Sequence, residues 1–355
     1  MYCTTRRDLK IIRHASNYLL LVCIALQLSG CYVLQAAHGQ MSLLSHRKPI
    51  DQVIASSATT PKLRTRLEYV QAARVFAVNE LGLPNNKSYT SYVELKRDYV
   101  VWNVFATTEF SVAPKQWCFP VAGCVVYRGY FNEQVAERYA LRLRTRGYDA
   151  TVMGAPAYST LGHFNDPVLS SMLAWSDAQV AATIFHELAH QVVYVKDDSA
   201  FNEAFATVVA DAGIKRWLSH AGRVDEIQRW QLQEQRAIEF SALLLHTRKQ
   251  LQDLYASALP RKQQRVHKQQ LLGELKFTYA QLKQHWNDYA GYDHWFDRPL
   301  SNADFIAIAT YQQCVPSFER LLTEVDDDLP RFYAVVKALA RQNKQIRQKV
   351  CAAAS

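Results

Sequence analysis

Residues His186-Glu187-Leu188-Ala189-His190 place two imidazoles and a carboxylate within little more than one helical turn. They lie in DAQVAATIFHELAHQVVYV, residues 177–195, an apolar stretch free of glycine and proline that predicts a helix. Side chains four apart on a helix stand one above the other, so His186 and His190 can both reach one Zn²⁺ at ~2.0–2.1 Å. Glu187 projects about 100° further round the helix. From there it cannot easily share the metal, but it can act as general base toward a water that the metal activates. A random His-Glu-x-x-His arises on the order of once in fifty to a hundred chains with this many histidines, so the pattern alone is only suggestive. Burial strengthens it. Two histidines and a glutamate on an apolar helix are costly unless something satisfies them, and a cation does.

Two histidines underhold a catalytic zinc, and the next helix offers the third ligand. SAFNEAFATVVADAG begins at Ser199, with Ser199 or Asp198 as the expected cap. Glu203 stands thirteen residues after His190, and Ala206 one turn beyond it leaves room for two helices to approach. Asp197 and Asp198 are rival ligands that read better as turn and cap residues, and Asp211 suits a partner for a histidine's outer N–H. The expected cofactor is therefore one Zn²⁺ per chain, held by His186, His190 and Glu203.

The elements that must carry these residues follow from pattern. Helices are expected at Ile50–Ala55 and Pro61–Leu81, then strands at Tyr99–Ala106 and Cys124–Phe131. Asn132 opens a helix that Gly147 ends near Arg146, and Asp149–Met153 reads as another strand. The two motif helices are expected at Asp177–Val195 and Ser199–Ser219. Residues 224–289 are long, charged and helical, with Pro260 dividing them into an antiparallel helical hairpin. Trp230, Ile238, Leu244, Leu251 and Leu254 are expected in its seam. The organisation is thus residues 1–30 as an export signal, 31–60 as tether and short helix and 61–222 as an α+β core. The hairpin of 223–290 follows, then a C-terminal helical segment of 291–355. Asp149–Leu161 can supply a strand edge above the active helix, and within it Tyr158 is the candidate to stabilise the oxyanion. His163, Tyr194 and Tyr311 are rivals for that role. Asp326-Asp327-Asp328 reads as a solvated helix start, because it lacks the spacing and glycine of a calcium loop.

Seven cysteines and a basic start bear on the compartment. Residues 1–17 are basic and polar, and Tyr18–Leu28 is apolar but too short for a bilayer core that needs about 20 residues. Leu28-Ser29-Gly30-Cys31 resembles the lipobox of bacterial lipoproteins, which implies acylation of Cys31 and a lipid anchor facing the periplasm. Tyr32 after the cysteine favours the outer membrane over the inner. Thr5 to Lys10 partly resembles a twin-arginine signal, although Sec export fits better. Of the remaining cysteines, Cys118 and Cys124 are six apart with Pro120 and Gly123 between them. They read either as a small-loop disulfide, favoured by an oxidising compartment, or as two buried thiols.

The net charge is +9, of which Arg6, Arg7, Lys10 and Arg13 against Asp8 contribute +3, leaving +6 over residues 31–355. That excess forms no basic stripe with base-reading partners, so nucleic-acid binding is not expected.

HELAH followed by NEAFA resembles the gluzincin peptidases, whose zinc site is completed by a glutamate in an N-E-x-x-A segment. CFPVAGCVVYRGYF, AYSTLGHFNDP, HELAHQVVYVKDDSAFNEAFA and WFDRPLSNADF…ATY together resemble the bacterial lipoprotein family described as aminopeptidases, across nearly the whole mature chain. The resemblance implies a zincin-like α+β fold, peptide substrates, zinc ligation by His186, His190 and Glu203, and Glu187 as base. The Gly-x-Met-Glu-Asn loop with which well-known gluzincin aminopeptidases grip a free amine is missing. A rival expectation is a non-catalytic envelope scaffold with a structural zinc, recruiting a protein partner through its helical hairpin.

Overall fold

The computed structural model of the chain describes residues 32–119, 123–160, 162–311 and 314–352. The export segment and Cys31 lie outside these. The chain forms two compact units, residues 1–46 and 47–355. In the first, residues 32–45 form helix α1. The second unit carries all the elements that follow.

Its elements run in the order β1 (Lys48–Pro49), α2 (Ile50–Ala55), α3 (Pro61–Asn79), β2 (Ser91–Val93), β3 (Val101–Thr108), β4 (Trp117–Phe119), β5 (Gly123–Val125), β6 (Arg128–Tyr130), α4 (Glu133–Arg144), β7 (Tyr148–Ala155) and β8 (Val168–Leu169). After β8 the chain is helical: α5 (Asp177–Ala189), α6 (Ser199–His220), α7 (Val224–Ala256), α8 (Arg261–His285), α9 (Ile306–Tyr311), α10 (Val315–Thr323), α11 (Leu329–Ala340) and α12 (Lys344–Ala352). The fold is mixed α+β with small sheets.

The larger sheet has the order β6-β3-β7, antiparallel throughout, with Val101 opposite Ala155 and Thr108 opposite Tyr148. Helix α4 packs on β3 and β7. Asn132 caps α4 by accepting from Val135 N at 3.1 Å, and Gly147 takes φ +80° in the turn into β7. A second sheet has the order β1-β2-β8, with β2 parallel to β8. The single strand expected at Cys124–Phe131 is instead two. A bend near residue 126 leaves β5 paired with β4 and β6 paired with β3. Cys118 and Cys124 are disulfide-bonded across the β4–β5 pair.

Helices α5 and α6 form the centre of the core. Ser176 and Gln179 close a capping box at the start of α5. Arg66 of α3 anchors that end, donating to Asp177 Oδ1 at 2.7 Å and to the Trp175 carbonyl at 2.5 Å. Small residues are buried along both helices: Ala178, Ala181, Ala182 and Ala189 on α5, Ala204, Ala206 and Ala210 on α6. Gly213 lets them close further, since a Cβ there would lie 3.0 Å from the Phe185 ring and 2.8 Å from Leu81. Aromatic contacts seat the C-terminal helices on α6, with Phe201 against Phe318 at 5.0 Å and Phe205 against Phe332 at 5.7 Å. A second disulfide, Cys314–Cys351, ties α10 to α12.

One helix end and one expected cap differ from the sequence reading around the motif helices. Helix α5 stops at Ala189, six residues short of Val195, because the Asn202 side chain takes both backbone groups of Val195 and closes a loop there. Asp198 is at the N-cap of α6, but its side chain makes no cap and instead accepts from Arg347 Nε at 2.7 Å in a buried pair. Helices α7 and α8 are joined by residues 257–260 and pack along one another through Phe240, Leu244, Leu251, Leu272, Leu275 and Tyr279. Ile238 is exposed rather than in that seam. Lys268 of α8, also buried, forms an ion pair with Asp149 of β7.

Candidate metal centre and active site

His186 lies in the last turn of α5, His190 is its C-cap, and Glu203 lies in the second turn of α6. The loop between the helices decides whether these side chains meet. Asp197 turns the chain at φ +59°, and Asn202, 2% exposed, accepts from Val195 N at 2.7 Å and donates to Val195 O at 2.8 Å. Asn202→Ala leaves the part-buried Val195 N–H without its partner and its carbonyl with only the 3.3 Å bond from Asp198 N. It should lower stability by about 2 kcal/mol in denaturant unfolding and weaken metal binding, because Glu203 is the next residue.

The result is a compact triad. His186 Nε2 lies 3.2 Å from Glu203 Oε2 and 3.1 Å from His190 Nε2, and the third edge, His190 Nε2 to Glu203 Oε2, is 3.7 Å. A tetrahedral shell with metal–ligand distances of ~2.0–2.2 Å has edges of roughly 3.3–3.6 Å. Two nitrogens and one carboxylate oxygen on that triangle fit a divalent cation in their centre. The chemistry agrees, since imidazole and carboxylate are the donor types of open zinc sites. Without a cation the triad must share protons. Burial pushes the Glu203 carboxyl up, but hydrogen bonds from His186 and His190 and their charge outweigh it and hold it at about 2. Burial likewise opposes protonation of His186, yet its bond to Glu203 and the charges of Glu187 and Glu203 raise it above the ordinary range.

Glu187 stands beside the triad, and burial pushes its carboxyl up against the pull of His186 and His190. His186 and Glu187 open into a cavity of about 430 Å³ lined also by Pro156, Ala157, Thr207, Asp211, Trp230 and Glu234. The first two of these follow directly on β7, which is an edge strand of its sheet.

Several placements correct the sequence reading. Trp230 lies on the cavity wall, and its Nε1 donates to Asp211 Oδ1 at 3.0 Å. Asp211 does not hold a histidine; its other oxygen accepts from Lys215 at 2.6 Å. Tyr158 packs edge-on against Phe131 with its hydroxyl buried and unpartnered among the described residues, and it is not among those lining the cavity. Tyr194 and His163 are exposed, and the Tyr311 side chain lies outside the described ones. Glu234, Tyr89 and Ser159, by contrast, stand near the site without having been expected there. Glu234 comes from α7, and no spacing rule ties residues 89, 159 or 234 to a motif at 187.

A mixed α+β fold thus gathers on its central helix pair a His-His-Glu triad that could hold a cation, beside the half-buried Glu187. The chain belongs to the family described as "Putative aminopeptidase", which it matches over residues 31–351. No curated protein and no solved structure matches it.

Proposed function

We propose that this protein is a zinc-dependent aminopeptidase of gluzincin type, with a zincin-like core, tethered by an acylated Cys31 to the periplasmic side of a bacterial membrane. The observation that carries the reading is the triangle of His186, His190 and Glu203, with edges of 3.1–3.7 Å, of which His186 lines one cavity together with Glu187. When bound there, zinc would supply Lewis acidity toward the scissile carbonyl and a water molecule. Glu187 takes a proton from that water on its carboxylate and hands it to the leaving amine. A substrate strand can pair with the edge of β7 and reach the cavity along Pro156 and Ala157. Helices α7 and α8 are read as a helical hairpin able to recruit a partner. The anchor rests on the lipobox sequence. Among the described residues no helix is long and apolar enough to cross a membrane.

Restriction to a free N-terminus is supported by the charge of the cavity wall. Asp211 is occupied by Lys215 and Trp230, while Glu234 has no hydrogen bond or ion pair among the described residues. Burial, then the charges of Asp211 and Glu319 against that of Lys215, put the Glu234 carboxyl at about 6. Because that value is raised, ionisation is disfavoured in the fold; the group's stabilising effect is complete below its unfolded pKa and is lost as pH rises through about 6. A substrate ammonium in the cavity relieves that cost. KM for peptides with free amines should therefore fall as pH rises from 5 to 7. Glu234→Gln should raise KM about tenfold at pH 7, a loss of roughly 1.4 kcal/mol, and flatten the profile. Matched peptides with free and acetylated N-termini test the assignment. Equal cleavage of both would remove the restriction to a free amine.

A further inference from the structure

Helix α12 lacks the apolar face that seats the other helices. Among its described side chains only Arg347 and Cys351 are buried, and they stand four apart on one face. Val350 is half-buried and Ile346 exposed. Nine residues also fall short of the roughly 12–15 at which an isolated helix holds in water. Hydrophobic burial therefore gives α12 little reason to stay where it is.

Two other devices hold it. At one end Cys351 is bonded to the buried Cys314, the N-cap of α10, and Ser317 Oγ donates to the Val350 carbonyl at 2.7 Å. One turn back, Arg347 Nε donates to Asp198 Oδ2 at 2.7 Å, and its guanidinium lies 5.8 Å from the centre of the Phe201 ring. Lys344 Nζ, in the first turn, donates to the Asp197 carbonyl at 3.1 Å.

Asp197 and Asp198 end the loop between the two helices of the triad, and Glu203 follows Asp198 by five residues. Helix α12 thus clasps from outside the loop that Asn202 closes from within. Arg347 is the only side-chain partner of the buried Asp198 carboxylate among the described residues. Without it that charge is uncompensated, a large penalty that the carboxylate escapes by turning out to water. Such a turn drags the start of α6, and Glu203 sits less than a turn and a half along that helix.

We infer that zinc affinity at the triad of His186, His190 and Glu203 is coupled to the Cys314–Cys351 disulfide, with Arg347 and Asp198 as the link. A chain with two thiols at those positions holds the metal weakly. Closure runs by exchange with a donor disulfide. One thiolate attacks the donor, the second displaces it from the mixed disulfide, and the donor leaves as a dithiol with the two electrons and two protons. An oxidising compartment then fixes the third metal ligand in the same step that fixes the bridge. The coupling is reciprocal, so zinc protects the bridge from reduction by the factor by which the bridge tightens zinc. All of this rests on the triad being a zinc site, as proposed above, and on no particular reaction.

The test measures zinc dissociation constants for the full chain by competition with a chromogenic chelator. Cys314→Ser with Cys351→Ser should weaken zinc about 10-fold, the low end of the range for disturbed partners of metal ligands. Arg347→Ala, which keeps the bridge, should weaken it to the same degree, and Arg347→Lys should recover most of the loss. Combining the cysteine and alanine changes should cost no more than either alone, because both act through one clasp. Cys118→Ser with Cys124→Ser opens the bridge between β4 and β5 and should leave zinc affinity unchanged. In glutathione buffers, zinc should shift the Cys314–Cys351 equilibrium about 10-fold toward the disulfide, read from alkylation of Cys351 by mass spectrometry. If the cysteine variant does not fold, Arg347→Ala and its lysine rescue decide. Wild-type affinity in both variants, even with a lowered thermal midpoint, overturns the coupling and leaves the triad a zinc site. Weakening in the cysteine variant that Arg347→Ala does not reproduce overturns the link through Asp198. A wild type that binds no zinc overturns the zinc site itself.

Discussion

Glu187→Gln should abolish hydrolysis while one zinc per chain stays bound. The side chain is nearly isosteric, so the helix and the neighbouring histidines keep their places. What is lost is the ability to take a proton from water and return it to the leaving amine, and general acid–base catalysis of this kind contributes about 10²–10⁴-fold. Stability should not fall. Burial pushes the Glu187 carboxyl up, so its ionised form is a cost to the fold at neutral pH, and a neutral amide removes that cost. Loss of kcat, unchanged zinc content and an unchanged or higher thermal midpoint form one pattern. Retained activity would move the base elsewhere in the cavity. Lost zinc would make Glu187 a ligand.

How much of this was legible beforehand depends on how local each feature is. His186 and His190 meet because four residues on one helix make one turn, a relation contained in the local sequence. Glu203 needed one further step, a short loop returning a second helix. The small residues Ala204 and Ala206 signalled how closely that helix could come. Even there the expected geometry of the loop was incomplete. Nothing in the run of valines after His190 shows that Asn202 will capture Val195 and end α5 at Ala189. Strand β3 was legible from its aromatic and β-branched run, but the break between β5 and β6 depends on which partners each finds, which is a tertiary matter. The remainder of the site is non-local altogether. Trp230 and Glu234 reach the cavity because α7 crosses beside α6, and on sequence grounds Trp230 is indistinguishable from a seam residue. Tyr89 depends on Arg74 clamping three carbonyls, and no periodicity records that. The same holds for Cys314 and Cys351, 37 residues apart and joined only because α12 returns to α10.

Glu203→Ala should release the metal, the second large effect, and its signature differs from that of Glu187→Gln at every step. Two imidazoles remain on α5 after the change, 3.1 Å apart, with no carboxylate ligand to offset the charge of a dication in a largely buried site. Changes that only disturb the partners of zinc ligands typically cost about 10–100-fold in affinity, so removal of a ligand should exceed about 100-fold. Activity at trace zinc should vanish, and excess zinc should restore part of it by mass action, whereas no zinc concentration should rescue Glu187→Gln. Wild-type protein stripped by a chelator should behave like Glu203→Ala and recover fully on zinc addition. The thermal midpoint of the wild type should rise with zinc concentration, while that of Glu203→Ala should respond only at concentrations more than about 100-fold higher. If Glu203→Ala binds one zinc as tightly as the wild type, the third ligand lies elsewhere. Asp197 would then be the first to examine, because its φ of +59° already places it in the loop between the two helices.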